Sequence, residues 1–255
     1  MNGSEPSPSW VVPPAKGVLV AGEVHLWRAE TNAAQLCVDC CAAVLSAAEQ
    51  ERAAKFRFAK DRRLYTVAHA ALRSILADYL NITPTNLQFD AGANGKPRLA
   101  PALAKDGMQF NLSHSHELAL IAVTREREIG VDVERVKEDF AFDELAERYF
   151  TAREVSAIRA LPKELRRRAF YQCWTSKEAF LKAKGVGLSG KLDEVQITLN
   201  DAGKVEIQGK LAKWSLVELH PASAYVGALA LQEPNCQFKY YQWRPLAPAA
   251  GHAHS

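Results

Sequence analysis

The segment LALIAVT (118–124), followed within a few residues by IGVDVE (129–134), constrains this chain more than any other feature. The first segment is apolar on both faces and reads as a buried strand. In the second, Ile129, Val131 and Val133 alternate with Gly130, Asp132 and Glu134. Successive strand side chains point to opposite faces, so Asp132 and Glu134 stand side by side. Paired carboxylates beside a sheet core repel one another unless a cation or several donors neutralise them. The chain must therefore bury a sheet and bring something positive to its carboxylate face.

Composition sets only loose bounds. With 255 residues and 48% apolar content, the chain can build one large domain or two small ones. A net charge of +3 gives no case for nucleic acid as a partner and suits a mildly acidic one. No run of eighteen apolar residues and no leader pattern occurs, so the expectation is a cytoplasmic protein with no membrane partner. The five cysteines, Cys37, Cys40, Cys41, Cys173 and Cys236, are odd in number and are expected to be reduced thiols. CVDCC (37–41) looks like half a zinc knuckle, but no second cluster follows at ligand spacing, and helix packing is the expected role.

Residues 1–16 and 234–255, rich in Pro, Ser, Gly and Ala, read as tails. Between them come a first strand and a helical stretch broken near residue 60. Its second part carries Leu64, Val67, Ala68, Ala71, Leu72, Ile75 and Leu76 at helical spacing. A turn-rich connector and three short strands follow. Helices are expected over 143–158, with a kink near Thr151, and over 163–184, and strands close the sequence. Helices then strands, twice, predict an α+β protein of two similar halves, 17–128 and 129–233.

The partner for the carboxylate pair is sought in YQCWTSKEAFLKAKGVGL (171–188). On a helix, Trp174, Glu178 and Lys182 form one i, i+4 stripe. A surface Glu178–Lys182 pair is the plain reading. If Glu178 instead reaches Asp132 and Glu134, three hard oxygen donors meet, which describes a magnesium site. GKPRL (95–99) presents Lys96 on a turn stiffened by Pro97, without P-loop spacing. NLSHS (111–115) places Ser113 and His114 on a strand. The further ligands a zinc hydrolase needs after His114 and His116 are absent, as is the G-x-S-x-G of a nucleophile elbow. A hydrogen-bonded structural role for His114 stays open.

In order and separation, GKP (95–97), FNLSHS (110–115), IGVDVE (129–134), FTAREV (150–155) and WTSKEAFLKAKGVGL (174–188) resemble the 4′-phosphopantetheinyl transferase superfamily, in its larger, monomeric branch. The resemblance covers roughly residues 45–190. It implies a pseudo-dimer of two α+β halves with coenzyme A in the cleft between them. It also implies transfer of the phosphopantetheine arm to a serine of an acyl, peptidyl or polyketide carrier protein, with release of 3′,5′-adenosine bisphosphate.

By that resemblance Asp132, Glu134 and Glu178 would hold Mg²⁺, manganese being the alternative ion, and Lys182 would contact phosphate. Glu178, or a water on the metal, is the candidate base, and Glu154 has a supporting role. Lys96 and His114, with Pro97, would bind the nucleotide end of coenzyme A with its 3′-phosphate as their target, Ser113 would donate to a phosphate, and Arg57 and Arg63 are candidates for the same pocket. The carrier is expected to dock on AKGVGLSGKLDEV (183–195), where Lys184 and Lys191 flank Val186 and Leu188. Two readings compete. A metal-dependent nuclease could use the same carboxylates and lysine but would carry a stronger basic surface. A non-catalytic coenzyme A or carrier-protein binding module would have no need of an intact Asp132, Glu134, Glu178 and Lys182.

Overall fold

The structure, a computed structural model, describes residues 9–13, 18–92, 95–104, 107–186, 195, 197–200, 205–207, 213–233 and 235–244. Strand β1 (Glu23–Glu30) leads into helices α1 (Val38–Ala43), α2 (Ala47–Ala54) and α3 (Ala59–Leu80). A short hairpin, β2 (Phe89–Ala91) with β3 (Pro97–Leu99), precedes β4 (Met108–Ser115), β5 (Leu118–Arg125) and β6 (Ile129–Arg135). Helices α4 (Asp143–Tyr149), α5 (Ala152–Ala160) and α6 (Lys163–Lys184) follow. The remaining strands are β7 (Ile197–Leu199), β8 (Val205–Ile207), β9 (Trp214–Leu219), β10 (Tyr225–Gln232) and β11 (Gln237–Gln242).

Local chemistry sets the helix ends. Ser46 caps α2 and Thr151 caps α5, each in a reciprocal box with the glutamate three residues on, Glu49 and Glu154. The expected kink near Thr151 is thus a full stop and restart between α4 and α5. Helix α6 ends on Gly185, whose φ of 66° is the left-handed cap that glycine adopts without a Cβ penalty.

Two sheets, β11-β1-β5-β4 and β6-β10-β9, each carry one 22-residue helix, α3 and α6. Alternation along the strands separates the layers. In β5, Ala119, Ile121 and Val123 pack towards α3, while Leu118, Leu120 and Ala122 join Ile129, Val131, Val133, Leu229 and Leu231 in a core between the sheets. In β10, Ala228 and Ala230 turn the other way, towards Ala179, Phe180 and Ala183 of α6. Two α+β halves of similar build are therefore present, as expected.

Three expectations are corrected. Residues 234–255 are not simply a tail: β11 returns to the first half and pairs parallel with β1, from Glu23 opposite Gln237 to Arg28 opposite Gln242. Within 1–16, Val11 bridges Tyr241 in the same sheet. The cysteines are not all thiols. Cys37 caps α1, so Cys40 lies one turn on with a Cα separation of 5.2 Å, and the two form a disulfide; Cys41, Cys173 and Cys236 are free.

Candidate active site

The carboxylate face of β6 forms because α6 lies unusually close to it. A Cβ on Gly130 would stand 2.0 Å from the Ala179 carbonyl oxygen and 2.4 Å from the Ala183 nitrogen. Only glycine permits that approach, and it brings Glu178 and Lys182 down onto Asp132. Lys182 Nζ lies 2.7 Å from Asp132 Oδ1 and donates to Ser113 Oγ at 2.9 Å. The plain reading of Lys182 as a surface partner of Glu178 is thereby replaced: its carboxylate partner is Asp132.

Strand β4 supplies the donors facing β6. Ser113 Oγ donates to Asp132 at 2.8 Å, and Ser115 Oγ donates to Glu134 at 2.7 Å. The Val131 amide donates to Asn111 Oδ1 at 2.8 Å, and the Arg135 amide donates to Ser115 Oγ at 3.2 Å. Asn111, Ser113 and Ser115 alternate along β4, so one polar stripe joins the two sheets where no backbone ladder runs.

Negative charge still exceeds what these donors neutralise. Burial and the charges of Asp132 and Glu134 raise Glu178 to about 7, against the opposing pull of Lys182. Burial and Asp132 likewise raise Glu134. Asp132 Oδ2 and Glu178 Oε1 are buried and accept no hydrogen bond from the described residues. Among the described residues no three His, Cys, Asp or Glu side chains are already grouped as a metal cage. Two orphaned hard oxygens on crowded carboxylates nonetheless fit a small divalent cation, which takes one or two carboxylates and completes its shell with water and phosphate.

Beside these groups a cleft of about 280 Å³ is lined by Arg52, His69, Pro97, Ser113, His114 and Lys182, among others. Burial pushes the His114 imidazole down to about 4, helped by the charges of His69 and Lys182. A larger cavity, about 660 Å³, lies between α1, α2 and α3 and is lined by neither Ser113, His114 nor Lys182.

The remaining expected residues fall elsewhere. Lys96 reaches across to the second half, where Nζ donates to the carbonyls of Ile129 at 2.9 Å and Ala183 at 3.3 Å, and burial lowers it to about 8. Arg57 sits between α2 and α3, exposed, with its guanidinium over the Phe58 ring. Arg63 donates to the Thr31 carbonyl at 2.7 Å and lines the larger cavity. Neither arginine lines the cleft. Glu154 is no free base: it closes the α5 capping box, accepts from the Ile197 amide and pairs at 2.9 Å with Lys177, which is fully buried. In the expected docking loop, Lys184 lies over the Trp214 ring and Val186 is exposed, while Leu188 and Lys191 fall outside the described residues.

Arg52 and His69 were not anticipated as cleft residues. Their signal is weak but present: Tyr65, His69 and Arg73 recur at i, i+4 and i+8 on α3, against the polar residues of α2.

Comparison with known proteins bears on the whole chain. A family model described as 4′-phosphopantetheinyl transferase superfamily matches residues 128–230. A second, described as 4′-phosphopantetheinyl transferase, N-terminal, matches residues 27–126. The chain is 39% identical to the 4′-phosphopantetheinyl transferase HetI of a Nostoc species, over 92% of this chain and 98% of that protein. It is 32% identical to a Bacillus subtilis 4′-phosphopantetheinyl transferase over 65% of this chain and 71% of that one. With the human L-aminoadipate-semialdehyde dehydrogenase-phosphopantetheinyl transferase the identity is 30%, over 73% of this chain and 67% of the human protein.

Proposed function

The chain belongs to the 4′-phosphopantetheinyl transferase superfamily, and from that premise we propose how its cleft performs the transfer. The enzyme moves phosphopantetheine from coenzyme A to a carrier protein. We assign the acceptor as a serine hydroxyl of an acyl, peptidyl or polyketide carrier. The hydroxyl attacks the pyrophosphate phosphorus that bears pantetheine, the bond to the nucleotide phosphate breaks, and 3′,5′-adenosine bisphosphate leaves. Positioning and charge neutralisation carry such a reaction.

The observation that supports this reading is the Asp132 carboxylate, one oxygen shared by Lys182 and Ser113 and the other buried without a partner among the described residues. Asp132, Glu134 and Glu178 would hold Mg²⁺. That ion, when bound, neutralises charge on the pyrophosphate oxygens. Lys182 and Ser113 sit where they can turn from Asp132 to phosphate oxygens, donating as charge develops on the leaving group. Glu178, on the helix turn that also carries Lys182, is the candidate to take the serine proton. His114 serves the nucleotide end as an uncharged ring, and Arg52 adds fixed positive charge at the cleft.

Incubation with coenzyme A, Mg²⁺ and a panel of apo-carriers, read by intact mass, tests the assignment. The expected result is a gain of one phosphopantetheine on at least one carrier. No gain on any acyl, peptidyl or polyketide carrier would remove it.

A further inference from the structure

We propose that Lys96 is the positioning residue that ties the last turn of α6 to the first residue of β6, and so holds Lys182 in place for the transfer. The proposal rests on the transfer reading above. Lys96 stands on the turn before β3, where the Gly92 amide donates to the Lys96 carbonyl at 2.9 Å and Pro97 opens the strand. That turn belongs to the first half of the chain. Its ammonium nevertheless donates to two carbonyls of the second, Ile129 at 2.9 Å and Ala183 at 3.3 Å.

Both carbonyls need a donor that their own elements do not supply. A helix leaves its last carbonyls without intrahelical partners. At the end of α6 the Gly185 and Val186 amides return to the Lys182 and Leu181 carbonyls, and Lys96 takes the Ala183 carbonyl beyond them. A cation there also meets the negative end of a 22-residue helix. Strand β6 pairs with β10 on one side only. The Gln232 amide donates to the Glu128 carbonyl, so alternation turns the Ile129 carbonyl to the open edge. On that same edge the Val131 and Arg135 amides donate to Asn111 and Ser115 of β4. Lys96 carries this seam between the halves to the first residue of β6.

The two carbonyls flank the functional contact. Ala183 follows Lys182, and Ile129 precedes Gly130, the residue against which α6 packs. A donor shared between them fixes the spacing of strand and helix where Lys182 reaches Asp132. The cleft itself is lined by Pro97 and not by Lys96. Lys96 therefore acts on the transfer through Lys182 and not on coenzyme A.

The test is steady-state transfer to an apo-carrier from coenzyme A and from dephospho-coenzyme A, which lacks the 3′-phosphate. Lys96→Met keeps the stem and removes the donors. It is expected to lower kcat ~10-fold and to change KM for either ligand less than ~2-fold. A double-mutant cycle with Lys182→Met separates positioning from plain destabilisation. In a chain already lacking the Lys182 ammonium, Lys96→Met should cost less than a further ~2-fold. Losses that multiply in the cycle would overturn the proposal. So would a loss ~5-fold or more larger with coenzyme A than with dephospho-coenzyme A, which would make Lys96 a phosphate ligand. Lys96→Gln, which still donates, decides by the same cycle where Lys96→Met does not fold. Failure of the unmodified protein to transfer from coenzyme A would instead remove the transfer reading beneath it.

Discussion

A methyl group on Gly130 would lie 2.0 Å from the carbonyl oxygen of Ala179, so strand β6 and helix α6 are in contact through a position with no side chain. The atoms it would meet belong to the backbone of a helix and cannot swing aside. Gly130→Ala should therefore force α6 off the sheet, costing about 3 kcal/mol or more in chemical denaturation. Transfer should fall further than stability alone explains, because Glu178 and Lys182 ride on the displaced helix. A Gly130→Ala protein with unchanged denaturation midpoint and rate would refute this account of the β6–α6 seam.

Lys177, the residue before Glu178 on α6, forms an ion pair with Glu154, the side-chain exposures being 0% and 3%. Removing one member strands the other charge in the core, so Lys177→Met or Glu154→Gln should each cost on the order of 3–5 kcal/mol. The double variant should recover part of that loss, since neither charge is then left unpaired. Strict additivity in a double-mutant cycle would show that the pair does not act as a unit.

Glu49 gives a pH signature. Hydrogen bonds from His69 and Ser46 and the charge of Arg73 outweigh burial and hold its carboxyl at about 2, below the ordinary 4.5. A depressed folded-state value stabilises the fold above the unfolded-state value and loses that contribution as pH falls through the folded one. The stability gap between the natural chain and Glu49→Gln should thus be full at neutral pH. It should shrink by on the order of 3 kcal/mol between pH ~4.5 and ~2. Urea titrations at several pH values measure it, and a gap independent of pH would contradict the linkage.

Much of the site was legible because its signals are local. The alternation in IGVDVE and the i, i+4 spacing of Glu178 and Lys182 place their side chains wherever the elements pack. What escaped depends on distant partners. QFKYYQ (237–242) is a six-residue strand beside a Pro- and Ala-rich tail, and nothing within it tells that β1 pairs with it. Arg57 and Arg63 are as basic as Arg52, but the break between α2 and α3 decides which of them faces the cleft. Glu154 reads as one more acid near the site until Lys177 and Ile197 are seen to occupy it.

The most direct test of the central claim is the rate at which Asp132→Asn modifies an apo-carrier, followed by intact mass with coenzyme A and Mg²⁺. Asparagine keeps the shape and removes the charge that Lys182 and a cation require. The account predicts a transfer rate reduced at least ~100-fold with a melting temperature within about 4 °C of the unmodified protein, and no transfer by the unmodified enzyme in excess EDTA. A folded Asp132→Asn enzyme working within about twofold of the natural rate, or full activity in EDTA, would contradict it.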